Sequence, residues 1–262
     1  MMKIINLKRD IDRSYITKVN RTTSTAKVNK FIVIHYVGAE GSALGNVKYF
    51  QNEKRGASAH VFVGHDGKMY QCVEFHDIAW HCGAQRYTHG SCRNTNSIGI
   101  EMCCKKNTDG TWRFTNETID STVLLTATLM LQYDIPISNV IRHNDVTGKI
   151  CPEPYVRDKK AWDNFLKRVK ETYKNLLGSY VTMKIVALRD MNLNKVPHML
   201  GMSSKMIEKC EQENNKVNVK KGSVFQIVGI KQDDTNGDIW GITKSGYIIP
   251  LEYNKGIKAI KL

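Results

Sequence analysis

The sequence predicts an α/β protein in which a mixed β-sheet is flanked by helices and followed by a smaller, mainly β region. Three observations lead there. Short apolar runs alternate with helical stretches through the first two thirds of the chain, as in a sheet covered by helices. After Leu177 the texture changes to short strand-like pieces. The chain has 262 residues, 41% of them apolar, enough to bury the core of one large domain or two modest ones and too many for a disordered chain.

The elements follow in order. Residues 30–36 (KFIVIHY) form an apolar run bounded by polar residues, which reads as a buried strand ending beside a histidine. Residues 57–63 (ASAHVFV) and 69–75 (MYQCVEF) flank an Asp66-Gly67 pair and read as a hairpin. Residues 97–104 (SIGIEMCC) are a further strand. Helices are expected over 43–55, 116–133 and 158–177. In the last, Trp162, Phe165, Leu166, Val169 and Tyr173 recur at three-to-four spacing.

Gly178-Ser179 is expected to end that helix, so the boundary is placed there, with domains 1–177 and 178–262. The pieces VTMKIVAL, GSVFQIVGI, DIWGIT and GYIIPLEY then read as strands, with a polar helix over 203–214 inserted among them. The formal charge of +14 divides as +9 through Tyr180 and +5 beyond, so both parts are basic. That implies a polyanionic partner: nucleic acid, a membrane surface or an acidic cell wall. No basic helix, zinc finger or RNA-recognition signature accompanies the charge, which leaves only non-specific nucleic-acid binding.

No stretch approaches a membrane span and the N-terminus lacks an apolar signal core, so synthesis in the cytoplasm without a secretory address is expected. Seven cysteines with no C-x-x-C pair fit neither a disulfide scaffold nor a four-cysteine zinc site, and free thiols are expected.

Among residues able to do chemistry, His35 closes the first strand, His143 follows the apolar run Asn139-Val140-Ile141, and Cys151 comes eight residues later. Two imidazoles and one thiolate would give zinc three protein ligands and leave the fourth position open, as catalytic sites do. Taken singly, a strand-end histidine such as His35 is more often a satisfied polar residue at a core edge.

The wider context sharpens this. VIHYVG, SAHVFVGHDGKMYQCV, AWHCG, NTNSIGIEMC and RHNDVTGKICP occur in this order between residues 28 and 170. Together they resemble the zinc-dependent N-acetylmuramoyl-L-alanine amidases, which share their fold with the peptidoglycan recognition proteins. The resemblance implies His35, His143 and Cys151 as zinc ligands and Glu101 as the catalytic carboxylate. It also implies Lys149 as a cation near the reacting carbonyl. Where many members carry a tyrosine before the position of His60, this chain has Ala59, so a tyrosine-assisted mechanism has no residue there. Trp80 and His81 match a block at the rim of the substrate groove, and with His60 and Asn96 are expected to contact substrate.

Residues 181–262 resemble a bacterial SH3-like wall-binding domain, chiefly through Trp240 and the segment Lys244-Ser245-Gly246-Tyr247-Ile248. The resemblance therefore implies a phage or prophage endolysin that cuts the amide between N-acetylmuramic acid and L-alanine. Its partners would be peptidoglycan and the teichoic polymers of a Gram-positive wall, reached after release from the host cell. A bacterial autolysin of the same chemistry and a non-catalytic peptidoglycan-recognition module are the competing readings. Members of the latter class commonly lack the thiolate ligand that Cys151 supplies.

Overall fold

The structure, a computed structural model, describes residues 5–181 and, beyond them, 184–187, 191–193, 217–219, 224–232, 237–243, 248–253, 256–257 and 259–261. Two compact units divide the chain: residues 10–130 with 135–172, and residues 1–9 with 131–134 and 173–262.

The first unit is built on a five-stranded mixed sheet. Its strands are β1 (Phe31–Tyr36), β2 (Val61–Val63), β3 (Met69–Gln71), β4 (Ser97–Met102) and β5 (Val140–Arg142), in the order β3-β2-β4-β1-β5. β2, β4, β1 and β5 run parallel to their neighbours, and β3 closes an antiparallel hairpin on β2. Parallel strands are covered on both faces and are therefore apolar throughout. Ile32, Val33 and Ile34 of β1, Ile98 and Ile100 of β4 and all of β2 are accordingly buried.

Helix α1 (Ala43–Gln51) starts at Ser42, whose hydroxyl accepts the Gly45 N–H at 3.0 Å. Helix α2 (Asn116–Tyr133) starts after Thr115, whose hydroxyl accepts the Thr118 N–H at 3.2 Å. Two short helices, α3 (His143–Thr147) and α4 (Glu153–Arg157), precede the long α5 (Lys159–Val181). On α5 the residues Trp162, Phe165, Val169, Thr172 and Leu176 are buried, the stripe that three-to-four spacing requires. Trp162 and Phe165 stack on one another and both pack against Tyr155 of α4.

Helix α5 does not stop at Leu177 as the sequence led one to expect; it continues through Gly178 and Ser179 to Val181. A single glycine costs a helix only about 1 kcal/mol, which a long, well-packed helix tolerates.

The second unit carries a six-stranded antiparallel sheet in the order Gly256–Ile257, Ile248–Tyr253, Ile239–Thr243, Val224–Gln232, Lys184–Ala187, Ala259–Lys261. Residues 5–9 and 131–134 are bonded into it. Gln232 exchanges two hydrogen bonds with Gln132, at 2.7 and 2.8 Å, and its side chain also bridges Ile5 O and Leu7 N. Lys231, buried, donates to the carbonyls of Leu131 and Gln132 and pairs with Asp134 at 2.8 Å, so a cation sits at a helix C-terminus. Residues 5–9 thus cluster with the C-terminal part of the chain. The expected helix over 203–214 and the segment 244–247 lie outside the described residues.

Candidate metal centre

Parallel strands gather their functional residues at their C-terminal ends, where the sheet opens to solvent. β1 and β4 pair Phe31 with Ser97 and continue in step, which sets His35 directly opposite Glu101. β1 and β5 pair Ile34 with Arg142, so the next residue, His143, begins α3 at the level of His35. Register alone therefore brings three chemistry-bearing residues from distant sequence positions to one edge.

Cys151 reaches the same place by a reversal of the chain. Gly148 ends α3 with φ +78°, a left-handed conformation that costs glycine little, and its N–H bonds to Asn144 O. The segment then turns: Cys151 N–H donates to Lys149 O at 2.8 Å, and Asn144 N–H donates to Cys151 O at 2.7 Å. Lys149 and Cys151 therefore sit on a turn.

His35, His143 and Cys151 are all buried, with one ligand atom from each lying within 4.8 Å of the others. His35 Nδ1 is 3.7 Å from Cys151 Sγ and 3.9 Å from Glu101 Oε1, and the rings of His35 and His143 are centred 4.6 Å apart. Burial holds His35 well below the ordinary histidine range and lowers His143 to about 4, so both imidazoles are neutral and able to ligate at neutral pH. Burial pushes the Cys151 thiol up to about 12 and the Glu101 carboxyl up to about 8. Glu101 Oε2 is buried with no hydrogen-bond partner.

These residues fit a divalent cation. A neutral–neutral–thiol donor set converging on one point, with an unsatisfied carboxylate oxygen beside it, is the chemistry a metal of zinc's character completes. Lys149 is exposed, and its positive charge acts on His35, His143, Cys151 and Glu101.

The remaining residues singled out in the sequence are placed as follows. His60 is fully buried: its Nδ1 accepts the Gly99 N–H at 3.0 Å and its Nε2 lies 2.8 Å from Lys27 Nζ. His81 is half-buried, 3.0 Å from His35 Nε2 through its Nδ1 and 3.1 Å from Ser97 Oγ through its Nε2. Both of its ring nitrogens already have partners, which leaves neither for a substrate amide. Trp80 is half-buried and donates from its indole N–H to Thr22 at 3.0 Å. Asn96 closes the short turn Asn94–Asn96, accepting from Arg93 N at 2.8 Å and donating to Ser91 O at 2.9 Å. Of this group, only His81 touches a candidate ligand.

Sequence reasoning passed over three residues that support the cluster. Tyr36 follows His35 on β1 and donates its hydroxyl to Glu153 Oε2 at 3.3 Å. Ser97 and Gly99 share the β4 face with Glu101, a two-residue alternation visible in the run S-I-G-I-E.

Fold and site together define an α/β protein in which two imidazoles and one thiol, able to hold a metal ion, converge beside a carboxylate. The chain belongs to the N-acetylmuramoyl-L-alanine amidase family, whose family model matches residues 24–154, the stretch that carries every residue of the cluster. It is 38% identical over 149 residues to a protein of Bacillus licheniformis named "Probable N-acetylmuramoyl-L-alanine amidase". That match covers 53% of this chain and 41% of the relative, so the chain spans less than half of the relative's length. Among solved structures, the PlyG catalytic domain superposes with a TM-score of 0.52 at 26% identity, covering 62% of this chain and 94% of that domain. The catalytic domain of XlyA superposes with a TM-score of 0.50 at 28% identity, covering 61% of this chain and 98% of that domain.

Proposed function

We propose that this chain is a zinc-dependent peptidoglycan amidase of the endolysin type, hydrolysing the bond between the lactyl carbonyl of N-acetylmuramic acid and L-alanine. The observation that carries the reading is the convergence of His35, His143 and Cys151 beside Glu101, inside the segment matched by the amidase family.

On this reading His35, His143 and Cys151 hold the metal, with Cys151 as a thiolate. When bound, zinc supplies Lewis acidity that polarises a carbonyl oxygen and lowers the pKa of water. Glu101 is a general base, its partnerless oxygen taking the proton of the attacking water and returning it to the leaving amine of alanine. Desolvation raises the Glu101 pKa in the metal-free chain, and the charge of a bound cation would lower it again, leaving a carboxylate ready to accept the proton. Lys149 places its ammonium against the negative charge that develops on the carbonyl oxygen. The thiol ligand at Cys151 favours this reading over a non-catalytic recognition module.

The second unit fits an SH3-like wall-binding role, its antiparallel sheet carrying the strands expected over 181–262. Joining such a unit to a hydrolase raises the local concentration of enzyme at an insoluble substrate. The +14 charge would favour a wall bearing teichoic polymers.

The test is lysis of purified Gram-positive walls followed by turbidity. Chelation should stop lysis and added zinc should restore it; lysis at an undiminished rate after complete removal of metal overturns the reading. The wall-binding role is lost if the full chain sediments with walls no better than residues 1–177 alone.

A further inference from the structure

We propose that His81 is a positioning residue for the metal centre, fixing His35 in the tautomer that turns a lone pair on Nδ1 toward the metal. This rests on the metal reading above and adds to it a role for a residue outside the ligand set.

The geometry comes from a chain of hydrogen bonds whose direction is set at its far end. Ser97 Oγ lies 2.6 Å from the backbone carbonyl of Arg93. A carbonyl oxygen can only accept, so the single hydroxyl proton of Ser97 is spent there. Ser97 Oγ must then act as acceptor toward His81 Nε2, 3.1 Å away, which puts the imidazole proton of His81 on Nε2. His81 Nδ1 is left with a lone pair, and it faces His35 Nε2 at 3.0 Å, so His35 donates from Nε2. The remaining nitrogen, His35 Nδ1, carries the lone pair and is the one that faces Cys151 and Glu101 at 3.7 and 3.9 Å. The backbone carbonyl of Arg93, in the turn that leads into β4, thus dictates which nitrogen of His35 can ligate.

The fold makes room for this chain. Ser97, Gly99 and Glu101 alternate along one face of β4. A Cβ at Gly99 would lie 2.5 Å from His81 Cγ, so only glycine leaves space for the imidazole. The two rings meet edge to face, 5.1 Å apart at 86°, with the His35 N–H edge aimed at its acceptor. The backbone of the segment bearing His81 is tied down by Asn94 Oδ1, which accepts from His81 N at 3.2 Å and Cys82 N at 2.8 Å.

The experiment compares zinc affinity of the full chain, by competition with a chromophoric chelator, for the native protein, His81→Ala, His81→Asn and Ser97→Ala. It is paired with the histidine tautomers of the metal-free proteins, read from long-range ¹H–¹⁵N correlation spectra. His81→Ala should weaken zinc about 10- to 100-fold, the usual effect of losing the outer partner of a ligating histidine. Ser97→Ala should weaken it by less, and His81→Asn should restore most of the loss, because its amide oxygen stands where Nδ1 accepts. In the metal-free native protein His35 should carry its proton on Nε2, and His81→Ala should mix the two tautomers.

Zinc affinity within twofold of native in a folded His81→Ala variant overturns the proposal, as does a native His35 protonated on Nδ1. If His81→Ala fails to fold, Ser97→Ala and the native tautomer still decide. If the native chain binds no zinc, the metal reading fails, while the tautomer measurement separately tests the hydrogen-bond chain.

Discussion

His35 and Glu101 face each other in register across two parallel strands, Nδ1 to Oε1 at 3.9 Å, although 66 positions separate them in the sequence. The pairing follows from the strands: once Phe31 aligns with Ser97, the backbone positions of His35 and Glu101 stay opposite unless the whole ladder slips. Both residues thereby sit on the central pair of parallel strands.

The first prediction concerns Glu101. Glu101→Gln preserves shape and removes the proton acceptor, so wall hydrolysis should fall about 100- to 10,000-fold, the usual contribution of a positioned acid–base group. Zinc content, measured on the same preparation, should stay near that of the native protein. Loss of zinc together with activity would show instead that Glu101 serves the metal site and not the proton transfer.

The second concerns Cys151. Cys151→Ser replaces a thiolate with a hydroxyl that stays protonated, so stable zinc binding should be lost. The fold should persist, because the sheet and α5 supply the core without it. Circular dichroism and metal analysis separate the two effects; a Cys151→Ser protein with full zinc occupancy would remove Cys151 from the ligand set.

Zinc affinity should also depend on pH with a definite sign. In the metal-free protein the Cys151 thiol is held near 12 and must lose its proton to ligate, whereas His143, lowered to about 4, and His35, lowered well below the ordinary histidine range, are already neutral at neutral pH. At least one proton is displaced per zinc, so apparent affinity should rise about tenfold or more per pH unit between pH 6 and 8. Glu101, near 8, can add to the slope when the metal charge draws off its proton. A flat profile over that range would contradict a thiolate ligand.

A fourth prediction concerns Lys27, which burial lowers to about 7 against the opposing charge of Asp77. Its Nζ donates to Asp77 O at 2.8 Å and Phe75 O at 3.3 Å and meets His60 Nε2 at 2.8 Å. Since Gly99 N–H occupies His60 Nδ1, the proton of His60 is on Nε2, where it faces both Asp77 O at 3.2 Å and the lone pair of a neutral Lys27 amine. The unfolded chain keeps Lys27 protonated up to about 10.5, so between pH 7 and 10.5 it holds more protons than the folded protein. Unfolding free energy should therefore rise with pH across that window, by up to about 1.4 kcal/mol per unit from this group, and the gain should be lost again as pH falls from 10.5 to 7, with no further change from this group below 7. Lys27→Met should flatten the dependence in denaturant melts; an unchanged slope would mean that Lys27 stays charged.

Much of this was legible in the sequence because it is local. The span 116–133 is the observed helix α2, and the run Phe31–Tyr36 forms the strand inside the expected 30–36. The motif blocks pointed to His35, Glu101, His143 and Cys151, which the sheet brings to one edge. What stayed hidden depends on pairing between distant segments. Nothing in AWHCG shows that both nitrogens of His81 are taken by His35 and Ser97, or that His60 lies fully buried with Lys27 against it. The three-residue β5 and the five-residue α3 are too short to leave a periodic signal, yet they position His143. Likewise, the bonds from Gln232 to Gln132 and Ile5 link segments more than a hundred positions apart or close to it, which no window along the chain can sense.

The most direct measurement is mass spectrometry of the products released from purified peptidoglycan by the zinc-loaded chain, with a chelated control. The account predicts free stem peptides with an N-terminal alanine, glycan strands left intact, and neither product after chelation. New reducing sugar ends, cleaved cross-bridges, or the same peptides released without metal would contradict it.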